Sequence, residues 1–152
     1  TPLTANHNVE GICYDKNNNR LLLAIKNAEP GSKAYKGIYS FELATKTMLP
    51  EPVFKIEMRQ ELKSGSKKRS FEIMPSGIAM HPQTKDIYVT DGRNSMLLVL
   101  DGAGKSKNLY NLNNKEFSQP EGISFHSNGD LFISNEGAKS SGNILKVQHM
   151  SE

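Results

Sequence analysis

The sequence predicts an all-β protein made of three consecutive four-stranded β-propeller blades, half of a six-bladed ring. Three observations carry this. A short motif recurs as Val9-Glu10-Gly11-Ile12-Cys13-Tyr14, Pro75-Ser76-Gly77-Ile78-Ala79-Met80 and Gln119-Pro120-Glu121-Gly122-Ile123-Ser124-Phe125. Within each copy small residues (Gly11/Cys13, Gly77/Ala79, Gly122/Ser124) alternate with large ones (Ile12/Tyr14, Ile78/Met80, Ile123/Phe125), the period-two signature of a strand. Two further apolar runs follow each copy, and the interval from Gly77 to Gly122 is 45 residues, the repeat length of a propeller blade.

Taken in order, residues 1–8 are polar and unpatterned, and the chain opens on Thr1-Pro2, so a leader or a larger N-terminal region is expected ahead of it. The first blade is predicted over residues 9–56. Its second and third strands are Leu21–Ala24 and Gly37–Phe41, with an Asp/Asn turn over residues 15–19 between the first two. Residues 51–56 read as an outer fourth strand, with Pro52 tolerated at its start. Residues 57–70 are an insertion, since Gly11 to Gly77 is 66 residues where the next interval is 45. Glu57–Lys63 is predicted as a short helical turn and Ser64–Ser70 as a flexible basic surface loop.

The second blade is predicted over residues 71–112, with strands at Ile87–Asp91 and Met96–Leu100, a hairpin turn at Asp101–Gly104 and an outer strand at Lys107–Leu112. Gly102-Ala103-Gly104-Lys105-Ser106 is no phosphate loop: residue 99, where the first Gly of that motif belongs, is Val99, and the segment joins two strands. The third blade is predicted over residues 117–147 and stops after three strands. Three blades cannot close a ring, and closure is what removes exposed sheet edges. The remaining blades are therefore expected from the same parent chain, or from another copy.

Composition narrows the function. Hydrophobic residues make up 36% and charged residues 23%, and no apolar run is long enough to span a membrane. The net charge of +3 lies largely in Lys67-Lys68-Arg69, which does not point to nucleic acid. The single cysteine, Cys13, excludes an internal disulfide and a cysteine-based zinc site, and sits at a small core position of the repeat. His81 and His126 occupy equivalent positions four residues after the motif glycine, where the first blade has Asp15, so they read as turn residues; His7 and His149 fall in loose termini. Tyr14, Tyr39, Tyr88 and Tyr110 lie on strand runs at differing blade positions and make no stacking platform.

The residue before each motif glycine is Glu10, Ser76 or Glu121. If the motif opens the innermost strand, these side chains stand near the axis at one mouth of the channel. Two carboxylates aimed at one axis repel unless a cation lies between them, and hard oxygen donors suit calcium. Asp91 and Asn135, at the ends of their second strands, are candidates to complete the set. The alternative is that these side chains hold backbone groups and fix the turn between blades.

Asn8–Asp15, Asn19–Ala24, Pro75–Pro82, Gln119–Ile123 and Asn135-Glu136-Gly137 resemble the SdiA-regulated protein family over most of the chain apart from residues 57–72. The family is similar to the NHL-repeat and YWTD-like six-bladed propellers. The resemblance implies a bacterial envelope protein, periplasmic or on the cell surface, and no particular reaction. The Glu-Gly pair at Glu10 is also similar to that of the calcium-dependent gluconolactonase and regucalcin propellers, whose ion polarises a lactone carbonyl. Ser76 stands where that pattern has Asn, and Asp91 has no clear counterpart. Two functions follow as expectations: a non-catalytic envelope propeller binding a ligand or protein at one mouth, or a calcium-dependent hydrolase of the lactonase or phosphoesterase type.

Overall fold

In a computed structural model, which describes residues 1–64, 67–137 and 141–147, each motif copy forms the inner strand of an antiparallel sheet. The first blade comprises β1 (Val9–Asp15), β2 (Arg20–Ile25) and β3 (Tyr35–Glu42). Its outer position is divided: β4 (Thr47–Met48) pairs with one end of β3 and β5 (Phe54–Glu57) with the other. Pro50 and Pro52 lie between these pieces, and proline cannot donate to a ladder, so the fourth strand breaks there and resumes at Phe54 rather than Glu51.

The insertion differs from its expectation. It is a two-stranded hairpin of β6 (Arg59–Ser64) and β7 (Lys67–Glu72), not a helical turn followed by a loop. Gln60 pairs with Phe71, both are buried, and the charged residues beside them face outward, which is strand alternation. Gly65 and Ser66, part of the expected loop, lie outside the described residues. Lys36, almost fully buried, ties the hairpin down: its Nζ donates to Glu72 Oε1 at 2.8 Å and to the Lys26 carbonyl at 2.6 Å. Phe71 accordingly belongs to the hairpin, and the second sheet begins at Pro75.

That sheet is β8 (Pro75–Met80), β9 (Ile87–Asp91), β10 (Met96–Leu100) and β11 (Ser106–Asn111), in regular meander order. The third is β12 (Pro120–Phe125), β13 (Leu131–Asn135) and β14 (Asn143–Val147), three strands as read from the sequence. The turn at Asp101–Gly104 forms as expected, closed by the Gly104 amide donating to the Asp101 carbonyl at 2.9 Å. His81 and His126 are turn residues: the Nδ1 of each accepts backbone N–H bonds from the residues that follow.

The core lies between blades. Leu22, Ala24 and Ile38 of the first sheet meet Ile78, Ile87, Val89, Leu98 and Leu100 of the second. On the opposite face Leu97 joins Leu131 and Ile133 of the third sheet. Every residue of β10 is buried, because both faces of the middle blade are covered. Each such aliphatic side chain contributes about 2 kcal/mol on burial.

The motif glycines explain themselves at these contacts. A Cβ on Gly11 would lie 2.9 Å from the Ile78 amide nitrogen, and one on Gly77 would lie 2.5 Å from the Glu121 carbonyl oxygen. The inner strand of the next blade passes that closely, and its Ile78 or Ile123 side chain fills the space beside the glycine. At Gly122 the nearest atom belongs to Ser134 of its own blade. At the other end of the row Ile12 is 60% exposed and Tyr14 51%, whereas Ile78, the repeat equivalent of Ile12, is 2% exposed and Met80, that of Tyr14, is half-buried.

Candidate functional site

Strand pairing places the three residues that precede the motif glycines. Val9 pairs with Ile25 and Gly11 with Ala24; Pro75 with Asp91 and Gly77 with Thr90; Pro120 with Asn135 and Gly122 with Ser134. Glu10, Ser76 and Glu121 are each skipped, so all three inner strands carry a β-bulge at the same position. A bulge takes its extra residue out of the pleat and re-aims the side chain. Ser76 and Glu121 join Lys26, Gly92, Arg93 and Gln119 around an open cavity of about 340 Å³. Glu10 reaches the same group through Lys26, whose Nζ lies 3.4 Å from Glu10 Oε1.

The electrostatics of this mouth centre on Lys26. Burial pushes the Glu121 carboxyl above the usual range for glutamate. The Lys26 ammonium opposes that rise, while Glu10 and Glu136 reinforce it. The two motif carboxylates thus already have a cation close to both. Ser76 is 2% exposed, and its hydroxyl donates to the Pro120 carbonyl at 2.5 Å, joining the second blade to the third.

Asp91 and Asn135 do not turn toward this group. Asp91 is fully buried and its carboxylate accepts the Met74 amide at 2.9 Å, the Asn94 amide at 2.8 Å and Asn94 Nδ2 at 2.8 Å. It staples the turn between β9 and β10, the task Asp15 performs between β1 and β2. There Asn18 and Arg20 bond the carboxylate, and they hold it below the usual carboxyl range despite the burial that would raise it. Asn135 bonds Asn143 Oδ1 through Nδ2 at 2.7 Å, and its buried Oδ1 has no partner among the described residues.

As it stands this donor set does not fit a calcium ion. An ammonium sits beside Glu10 and Glu121, Ser76 and Asp91 are engaged elsewhere, and among the described residues no three of His, Cys, Asp and Glu gather as a metal site would require. Lys26 was not legible as a site residue, because it follows the second strand with no motif around it.

A second polar cluster was missed altogether. His7, expected in a loose terminus, is buried; Thr4 donates its backbone N–H to His7 Nδ1 at 2.9 Å. The His7 Nε2 lies 3.7 Å from Glu29 Oε2, which accepts the Tyr39 hydroxyl at 2.9 Å. Burial and this contact raise the Tyr39 pKa. The cluster holds the N-terminal turn Ala5–His7 against the first blade. His149 lies outside the described residues. Burial pushes the Cys13 thiol up to about 12, so it stays protonated as a packed core group.

The comparisons with known proteins agree with this architecture. A luciferin-regenerating enzyme superposes with a TM-score of 0.59 at 10% identity, over 94% of this chain and 45% of its own. Hydrazine synthase from Kuenenia stuttgartiensis superposes with a TM-score of 0.57 at 12% identity, over 95% and 36%. A chain of the nidogen/laminin complex does so with a TM-score of 0.55 at 14% identity, over 91% and 48%. The chain therefore spans less than half the length of each, and the likeness is one of fold. No curated protein matches. A family model described as SdiA-regulated matches residues 2–139.

Proposed function

Because the chain belongs to the SdiA-regulated family, we propose that it is part of a non-catalytic six-bladed envelope propeller whose mouth binds an anionic group of a ligand or protein partner. The observation that carries this reading is the shared ammonium of Lys26 beside Glu10 and Glu121, with the Arg93 guanidinium on the same cavity. A cation already in place answers the carboxylates' repulsion, and the adjoining guanidinium is left to meet an incoming anion. The envelope location is inferred from the family resemblance, and a periplasmic fractionation tests it directly.

The exposed inner strand of the first blade supports the ring. Ile78 and Ile123 each pack beside the glycine of the preceding blade. Ile12 stands at the equivalent position with its side chain 60% exposed, which calls for a preceding blade of the same construction.

The mouth is tested by titrating small dicarboxylates and, separately, calcium into the intact protein, with Lys26→Met, Glu10→Gln and Glu121→Gln as variants. Carboxylate binding lost in Lys26→Met supports the reading. Calcium binding lost in both glutamate variants, together with lactone or phosphoester hydrolysis, would replace it with the hydrolase alternative.

A further inference from the structure

Arg93 lines a second cavity as well, an open one of about 510 Å³ formed where the inserted hairpin meets the second blade. Arg69 of β7 forms one wall, and Asn111 and Asn114 at the exit of β11 form the other. Ser95 and Leu112 make a buried floor, at 8% and 5% exposure. Among the described residues no acidic side chain lines this space.

We propose that this cavity is a binding site for an acidic saccharide, a sugar ring carrying a carboxylate, sulfate or phosphate. The two guanidiniums come first. Among the described residues neither Arg93 nor Arg69 has a carboxylate partner; Arg69 rests over the Phe71 ring at 5.5 Å, which fixes its place. Guanidinium presents paired donors that match an oxyanion, and two of them at one cavity select for negative charge. The amides come second. Asn111 and Asn114 have no side-chain hydrogen bonds among the described residues, and an amide both donates and accepts, as a ring hydroxyl does. The hydroxyl of Ser95, a residue 8% exposed, has no side-chain hydrogen bond among the described residues and adds a further group of that kind. A bare anion would have no use for the amide wall, and the volume falls in the range of small-ligand pockets.

The position explains the insertion. The hairpin is fixed by the contact of buried Lys36 with Glu72 and carries Arg69 to a wall that the later blade interval lacks.

The test is calorimetric titration of the intact protein with a galacturonic acid trisaccharide, the neutral galactose trisaccharide, glucose 6-phosphate and inorganic phosphate. The charged sugars should bind at least about tenfold more tightly than the neutral sugar and than phosphate. Arg93→Ala and Arg69→Ala should each weaken binding about tenfold, the worth of one charge-assisted contact. Asn114→Ala should weaken it a few-fold, and Lys107→Ala, which removes a cation elsewhere, should leave it unchanged. Melting temperatures of the variants check that each is folded. Phosphate binding as tightly as the charged sugars would mean a simple anion site and overturn the proposal. So would equal affinity for the neutral sugar, no effect of Arg69→Ala, or no binding of either charged sugar. Arg69 and Asn114 lie outside the mouth, so their variants separate this site from the one centred on Lys26.

Discussion

At Asp15 and Asp91 a carboxylate closes a tight turn by accepting the amide of the residue three positions on, Asn18 or Asn94. The shared Asp-x-x-Asn spacing was readable in the sequence, but Asp91 was assigned to the axis because it also ends a strand. Asp91→Ala removes the acceptor for three donors, one of them on the strand entry at Met74, and is expected to cost about 3 kcal/mol in denaturant unfolding. A loss below about 1 kcal/mol would return Asp91 to the list of candidate ligands. Asp15 carries a pH signature. Its folded pKa is depressed, so its stabilisation is present above the ordinary carboxyl range and disappears as pH falls through the folded value. Asp15→Asn should therefore destabilise at neutral pH and flatten the acid limb of the stability profile. Glu121 behaves oppositely at the mouth: burial raises its pKa, so it takes up a proton at a higher pH than an ordinary glutamate and then leaves Lys26 and Arg93 in excess. Anion binding at the mouth is expected to strengthen as pH falls through the Glu121 pKa and to lose that dependence in Glu121→Gln.

At the level of strands and turns, the three inner strands, their turns and the meander order were all legible, because alternation and turn chemistry are local. Three things were not. The bulge shows only in the pairing of two strands, although Glu10, Ser76 and Glu121 were singled out in the sequence as the residues before the motif glycines. The inserted hairpin was misread because its alternation runs through Gln60 and Leu62 against charged neighbours, with little apolar contrast. The buried Glu29–Tyr39–His7 contact joins residues far apart in sequence with no motif to link them. The glycines yield a sharper expectation. Gly77→Ala drives a methyl into the backbone of the next blade at 2.5 Å and should cost about 3 kcal/mol. Gly122→Ala meets a Ser134 side chain that can rotate away, and should cost under about 1 kcal/mol. Thermal melts of the two variants side by side decide it; equal shifts would mean that the glycines matter for something other than blade contact.

For the whole molecule, the outward faces of the first and third blades set the terms. Ile12 and Tyr14 project as exposed side chains, whereas at the same positions of the other copies Ile78 is buried and Met80, Ile123 and Phe125 are half-buried, so in the intact protein Ile12→Asn is expected to cost about 2 kcal/mol or more. Thr45→Asn, in an exposed turn, serves as the reference. A cost no greater than that of the reference would sink the ring arrangement. The repeated bulge has a different kind of consequence. A residue that stands outside the alternation is released from the demands of the core, since neither its size nor its polarity sets the register of its strand. Glu, Ser and Glu occupy this position in three blades whose cores differ little. Mutation can thus exchange the codons of Glu10 and Glu121 for others and gain a new recognition chemistry at little cost to folding, whereas Ser76, buried and bonded to the Pro120 carbonyl, stays tied to the blade contact.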